Sequence, residues 1–324
     1  MKQRLKYTPG KQLVALCTSL IIFAFSSSAS AWWWNTGYTK TKYPIVLAHG
    51  MLGFDNIGPI DYWYGIPETL ESDGADVYVA HLSAVGGSEI RGEQLLAQVQ
   101  DVIAITGAEK VNLIGHSQGG QTVRYVAGVA PGLVASVTTV GSPAKGSAVA
   151  DVIQGVADLP LVGNLLQTVL GDAVNAVGYI IGLGAGESLP QESLGSLAQL
   201  TTPGAAAFNT QFPDGVPATS CGEGEYVSNG IRYYSWSGVG VSNGITNTLD
   251  PSSWSLLPMV LIFDEQTDGL VGRCSSHIGK VIRDNYNMDH LDEVNQVFGL
   301  VDLWTTKPKT VFRQHANRLK NAGL

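Results

Sequence analysis

Short apolar runs separated by amphipathic stretches set the rhythm of the first half of the chain. Tyr43 to Ala48 reads YPIVLA with no polar break, the pattern of a strand covered on both faces, and it ends in a His49-Gly50 loop entry. Ile66 to Leu70 starts a helix after a turn, and Asp76 to Ala80 (DVYVA) alternates and is rich in β-formers. Between Gly92 and Thr106, Leu95, Leu96, Val99, Val102 and Ile103 recur at helical spacing. Lys110 to Ile114 (KVNLI) is a further strand, Gln121 to Val129 a helix, and Val134 to Val140 (VASVTTV) another strand. Strands alternating with helices in this way predict βαβ units. The fold class is therefore α/β, with a mostly parallel central sheet flanked by helices.

The texture changes between Val149 and Glu187. Lys and Arg are absent there, and apolar residues are interrupted by Asp151, Asp158, Asp172, Gly and Pro. Several short amphipathic helices fit this pattern, and a membrane span does not. Tyr233 to Trp236 and Met259 to Phe263 are predicted strands, and Leu291 to Leu300 a helix or tight loop. Ahead of all this, Lys2, Arg4, Lys6 and Lys11 precede the apolar run Leu13 to Phe25 and the A-x-A site Ala29-Ser30-Ala31. That is a secretory signal peptide over residues 1–31, too short for a span of about 20 residues. Residues 32–324 then read as a single domain, and the Trp32-Trp33-Trp34 start has no assigned role.

Export changes how the composition is read. The 324 residues carry 19 Lys+Arg against 27 Asp+Glu, a net charge of −8, and cleavage would remove four positive charges and no acid. An acidic chain of this kind excludes nucleic acid as a partner, because phosphate binding needs a basic stripe. The 44% hydrophobic content excludes a mainly disordered protein. Of three cysteines, Cys221 and Cys274 lie beyond the leader, and two cysteines in an exported chain most simply form one disulfide.

One segment carries chemistry. Gly115-His116-Ser117-Gln118-Gly119 follows the Val111–Ile114 run and precedes a helical pattern. This is the strand–turn–helix elbow that projects a serine hydroxyl above a sheet edge, with small residues required two before and two after it. A serine needs a base to take its proton, and on this architecture the order is serine, acid, histidine. That order sets aside His49 and His81, and His116 is expected to point elsewhere on the turn. His315, between Arg313 and Arg318, reads as a surface residue. His277 and His290 both satisfy the spacing, as do Asp264 and Asp268 for the acid. Backbone N–H donors for a developing oxyanion are expected at Gln118 and, after the first strand, at Met51.

Four longer strings carry a resemblance: YPIVLAHGMLGFDNI from Tyr43, VNLIGHSQGG from Val111, SVTTVGSPAKGS from Ser136 and RDNYNMDHLDEVNQVFGL from Arg283. With them the chain resembles the secreted, foldase-dependent triacylglycerol lipases of the Pseudomonas and Burkholderia group, which have the α/β-hydrolase fold. The resemblance implies hydrolysis of long-chain acylglycerols at a lipid–water interface, with Ser117 as nucleophile, Asp268 as acid, His290 as base, and Met51 and Gln118 as oxyanion donors. It implies a Cys221–Cys274 disulfide and one structural Ca2+ ion on Asp250, Asp292 and the carbonyls of Gln296 and Leu300. It also implies a helical lid over about 149–187, an extracellular destination by way of the periplasm, and a periplasmic foldase as folding partner. Some family members have histidine where this chain has Gln118, and only the backbone N–H is expected to matter there. A soluble-substrate carboxylesterase would share all of this except a lid that answers to an interface. A non-catalytic lipid-binding protein would lack a triad member, and none is lacking.

Overall fold

The computed structural model describes residues 37–53, 56–57, 60–157, 193–243, 251–296, 298–301 and 305–324. The expected leader, Trp32 to Trp34, residues 158–187 of the expected lid, and Asp250 lie outside them. Within them, β1 (Ile45–Ala48) leads to a two-residue hairpin of β2 (Asn56–Ile57) and β3 (Ile60–Asp61), then helix α1 (Ile66–Glu71) and β4 (Val77–Val79). Helix α2 (Ser88–Thr106), β5 (Val111–His116), α3 (Gly119–Val129) and β6 (Val134–Val140) follow, then α4 (Ala148–Ala157), α5 (Ser193–Leu200) and α6 (Thr202–Gln211). The chain continues through β7 (Val227–Ser228), β8 (Ile231–Gly238), α7 (Pro251–Leu256), β9 (Lys280–Tyr286) and α8 (Pro308–Asn321). The seven-stranded sheet runs β4-β1-β5-β6-β8, with both β7 and β9 paired to β8. Every pairing in it is parallel except that of β7.

The unbroken apolar run of β1 has a simple cause. Successive side chains of a strand point to opposite faces, and both faces are covered. Val46 and Ala48 face a cluster built on α2 and α3 with Leu95, Val99, Val123 and Val126. Ile45 and Leu47 face Ile66 and Leu70 of α1 and Val311, Phe312 and Ala316 of α8. Fully burying each such side chain stabilises by about 1.5–3 kcal/mol, so a polar substitution in β1 would be felt on whichever face it entered.

One expectation needs correction, and two elements went unpredicted. Met259 to Phe263 is not a strand: Leu257–Ile262 forms a 3-10 helix, and the place beside β8 is taken by β9. Pro258 explains this, since it removes a ladder donor and presets a turn. β9 was not legible, because KVIRDNY is polar and none of its residues before Tyr286 is buried. Nor was α8, whose charges hide a buried stripe of Val311, Phe312, His315, Ala316 and Leu319. The described residues of Leu291 to Leu300 form the tight loop that was one of the two expected forms, with a 3-10 turn at Asp292–Val294.

Candidate active site

At the C-terminal end of β5 the chain turns sharply into α3. Ser117 sits on that turn with φ of 54°, the left-handed region that a serine adopts only under constraint. Glycines make the turn possible. A Cβ on Gly115 would lie 2.1 Å from the Gly119 carbonyl, and one on Gly119 would lie 2.2 Å from that of Ala48. The Ser117 N–H donates to the Val140 carbonyl at 2.9 Å, which ties the elbow to the end of β6.

The loop leaving β1 passes directly over the serine. A Cβ on Gly50 would fall 2.7 Å from the Ser117 Cβ, so His49–Gly53 and the elbow are in contact. The His49–Gly50 peptide is gripped at both ends. Its carbonyl accepts from the fully buried Arg91 guanidinium, which also donates to the Ser83 carbonyl. Its N–H donates to the Tyr62 hydroxyl at 3.0 Å. Burial, only partly offset by Tyr62, draws the Arg91 pKa down to about 10, so the guanidinium stays charged at neutral pH.

Asp268 and His290 meet beside this turn. The His290 Nδ1 lies 2.8 Å from Asp268 Oδ2, and the His290 N–H donates to the Asp268 carbonyl at 3.0 Å. The other carboxylate oxygen, Oδ1, accepts the N–H groups of Leu270 and Val271 at 2.8 and 2.7 Å. One oxygen is thus fixed by its own turn while the other faces the imidazole, and both residues are buried. His277, the other histidine that spacing allowed, pairs instead with Asp284 at 3.1 Å and with the Gly222 carbonyl at 3.0 Å. Asp264 is exposed. His116 does not point away from the chemistry. Its ring lies 4.5 Å from that of His290, its Nδ1 is 2.6 Å from the Tyr62 hydroxyl, and its Nε2 is 3.4 Å from Glu293 Oε2. Burial holds His116 well below its ordinary 6.5, and so neutral. His315 is not a surface residue either: it is fully buried against Trp236, with Nε2 2.8 Å from the Thr138 hydroxyl.

Residues 43–267 match the α/β hydrolase fold family. A triacylglycerol lipase of Vibrio cholerae is 53% identical over 313 residues, covering 94% of this chain and 99% of its own. Triacylglycerol lipases of Burkholderia plantarii and Pseudomonas fragi are each 43% identical and cover 89% and 88% of this chain. The chain belongs to the triacylglycerol lipase family. Among solved structures, the Staphylococcus hyicus lipase superposes with a TM-score of 0.59 at 18% identity, over 87% of this chain and 97% of that one, a likeness of fold.

In this lipase the residues on either side of His290 form the other wall. Asp289 is buried, and its carboxylate takes four donors: the N–H groups of Leu291 and Asp292 and the hydroxyls of Ser252 and Ser253. Asp292 is buried, and one of its oxygens lies 3.4 Å from the Asp289 N–H. Gln296 and Leu300 follow on the same loop, which turns through left-handed Asn295, Phe298 and Gly299. Glu293 accepts the Gly238 N–H at 2.5 Å and packs so tightly on Gly141 that a Cβ there would lie 1.8 Å from its oxygen. Burial, and the neighbouring Asp268 charge, push the Glu293 carboxyl well above the usual range. One group among the described residues could hold a metal ion: His116, His290 and Glu293, with ligand atoms within 4.8 Å of one another. Two imidazoles suit a softer ion than calcium.

Cys221 and Cys274 are joined in a disulfide. No helix among the described residues is long and apolar enough to cross a membrane. Arg91, Tyr62, His116, Asp289 and Glu293 all border the site, and sequence reasoning assigned none of them a part in it. Only His116 had a signal, its place beside the serine.

Proposed function

We propose that this lipase hydrolyses long-chain triacylglycerols at a lipid–water interface through an acyl-enzyme on Ser117. The observation that carries this reading is the left-handed serine elbow lying beside a buried His290–Asp268 pair. Ser117 Oγ attacks the acyl carbonyl while His290 Nε2 takes its proton. Asp268 holds the imidazole in the tautomer that carries its proton on Nδ1 and stabilises the charged form. The oxyanion rests on the N–H groups of Met51 and Gln118, each worth roughly 3 kcal/mol of barrier. His290 then protonates the departing alkoxide of glycerol, and water repeats the sequence on the acyl-enzyme.

Calcium belongs to the same reading. Asp292 with the Gln296 and Leu300 carbonyls, and Asp250 outside the described residues, make an all-oxygen donor set that suits a hard cation. A bound ion would neutralise buried carboxylate charge and brace the loop that carries His290. Residues 1–31 act as a cleaved leader, residues 149–187 as a lid over the acyl cleft, and a periplasmic foldase assists folding before release. The lid reading is supported by the exposed Val152 and Ile153 on α4, whose apolar surface would suit a lipid phase.

The test is fatty-acid release from an emulsified long-chain triacylglycerol against release from a dissolved short-chain ester. Release from the emulsion should vanish in Ser117→Ala, and a calcium chelator should lower both the rate and the melting temperature of the wild type. Turnover of the dissolved ester alone would leave a carboxylesterase, and no turnover of either by folded protein would overturn the catalytic reading.

A further inference from the structure

We propose that Tyr62 is a positioning residue for oxyanion binding, with one hydroxyl that bridges Gly50 and His116 and so sets the direction of the Met51 N–H over Ser117. This rests on the reading of Ser117 as nucleophile and Met51 as donor. A tyrosine hydroxyl donates once. Here it accepts the Gly50 N–H at 3.0 Å and lies 2.6 Å from His116 Nδ1, within reach to donate its single proton to that ring nitrogen. With Tyr62 as donor, the proton of the neutral His116 ring is on Nε2, 3.4 Å from Glu293 Oε2. The row runs from beneath His290 to the loop above Ser117.

The grip matters because of what it holds. The His49 carbonyl and the Gly50 N–H belong to one rigid peptide plane. Arg91 holds the carbonyl edge and Tyr62 the N–H edge. Gly50 must be glycine, since a Cβ would strike Ser117 at 2.7 Å and the Tyr62 hydroxyl at 2.9 Å, and glycine is the residue least able to hold its own torsions. Met51 is the next residue, so its N–H swings with any rotation about Gly50. Water is a poor substitute for the hydroxyl: Tyr62 is 4% exposed and its ring is packed edge-on against Trp63 at 5.4 Å.

The test is Tyr62→Phe, which keeps the ring and removes the bridge. On a dissolved p-nitrophenyl ester kcat should fall about tenfold to a hundredfold, less than the loss of a whole oxyanion donor. KM should stay within twofold and the melting temperature within a few degrees. Phosphonylation by an alkyl p-nitrophenyl phosphonate, whose adduct places an oxygen in the same hole, should slow in parallel. Incorporating 4-aminophenylalanine at position 62 keeps a donor and an acceptor there and should recover part of the rate. A kcat within twofold of wild type overturns the proposal. So does a loss that comes with a raised KM or a lowered melting temperature, or that the amine does not rescue, since these assign Tyr62 to substrate binding or packing. Ser117→Ala is run alongside: turnover that survives it sinks the functional reading itself, whereas an indifferent Tyr62→Phe sinks only the positioning role.

Discussion

Arg91 carries a charge into the interior and spends it on uncharged partners: the Ser83 and His49 carbonyls and, at 3.4 Å, the Thr122 hydroxyl. Replacing it by methionine removes the buried charge but leaves two buried carbonyls without a donor, each costing about 1–3 kcal/mol. Arg91→Met should therefore lower the stability measured by urea unfolding by about 2–4 kcal/mol, and Arg91→Lys should recover only part of it because lysine lacks the planar fork. At this scale the sequence was half legible. The Gly115–Gly119 motif named Ser117, since the steric demand of the elbow is local. Spacing left His277 level with His290, and the structure shows why: His277 has its own carboxylate, Asp284, held below its ordinary 3.8 by Arg273 and His277 despite burial. Among the described residues two well-formed His–Asp pairs exist, and only tertiary placement tells them apart.

The β5–turn–α3 unit shows how much an element depends on one backbone approach. A methyl group on Gly119 would meet the Ala48 carbonyl at 2.2 Å, and neither β1 nor the elbow can yield without parting. Gly119→Ala should cost more than 3 kcal/mol and abolish activity, with the loss seen as a lower urea midpoint at an unchanged slope. β1, β4, β5, β6, α2 and α3 were legible because each has an apolar pattern of its own period. β9 and the Leu257–Ile262 helix were not, because an edge strand may be polar and a proline-led apolar run is not a strand. Gln118 was undervalued for a related reason. Its side chain donates to the Gly86 carbonyl at 3.0 Å and the Ser196 hydroxyl at 2.8 Å, tying the elbow to α5, and no local pattern announces a contact that spans so much chain.

Over the whole molecule, three buried histidines set the acid limit. His49, His116 and His315 are each held well below 6.5, chiefly by burial. The unfolded chain takes up these protons as pH falls through 6.5 and the folded chain does not, so stability drops as pH falls below that value. The limiting slope is about 1.4 kcal/mol per pH unit for each histidine. Glu293 has the opposite sign. Its raised folded pKa stabilises most below its ordinary 4.5 and loses that contribution as pH rises, so it opposes the histidines only in part. The melting temperature should fall between pH 7 and pH 5, and His315→Gln, compared across the same range, should flatten the fall by about one proton's share.

The site is also closed by a bond that spans most of the chain. Asn295 Nδ2 donates to the Tyr64 carbonyl across 231 residues, joining the His290 loop to the Tyr62 segment, and Arg313 reaches Asp73 across 240 at the other edge of the sheet. Such contacts reward the chain only after very long loops have closed, so they form late. A refolding chain therefore spends time with its helices in place and its two catalytic walls apart, exposing the surfaces that make partly folded chains aggregate. Diluted from denaturant, it should recover its far-UV signal well before its turnover, and the yield of active protein should fall as its concentration rises.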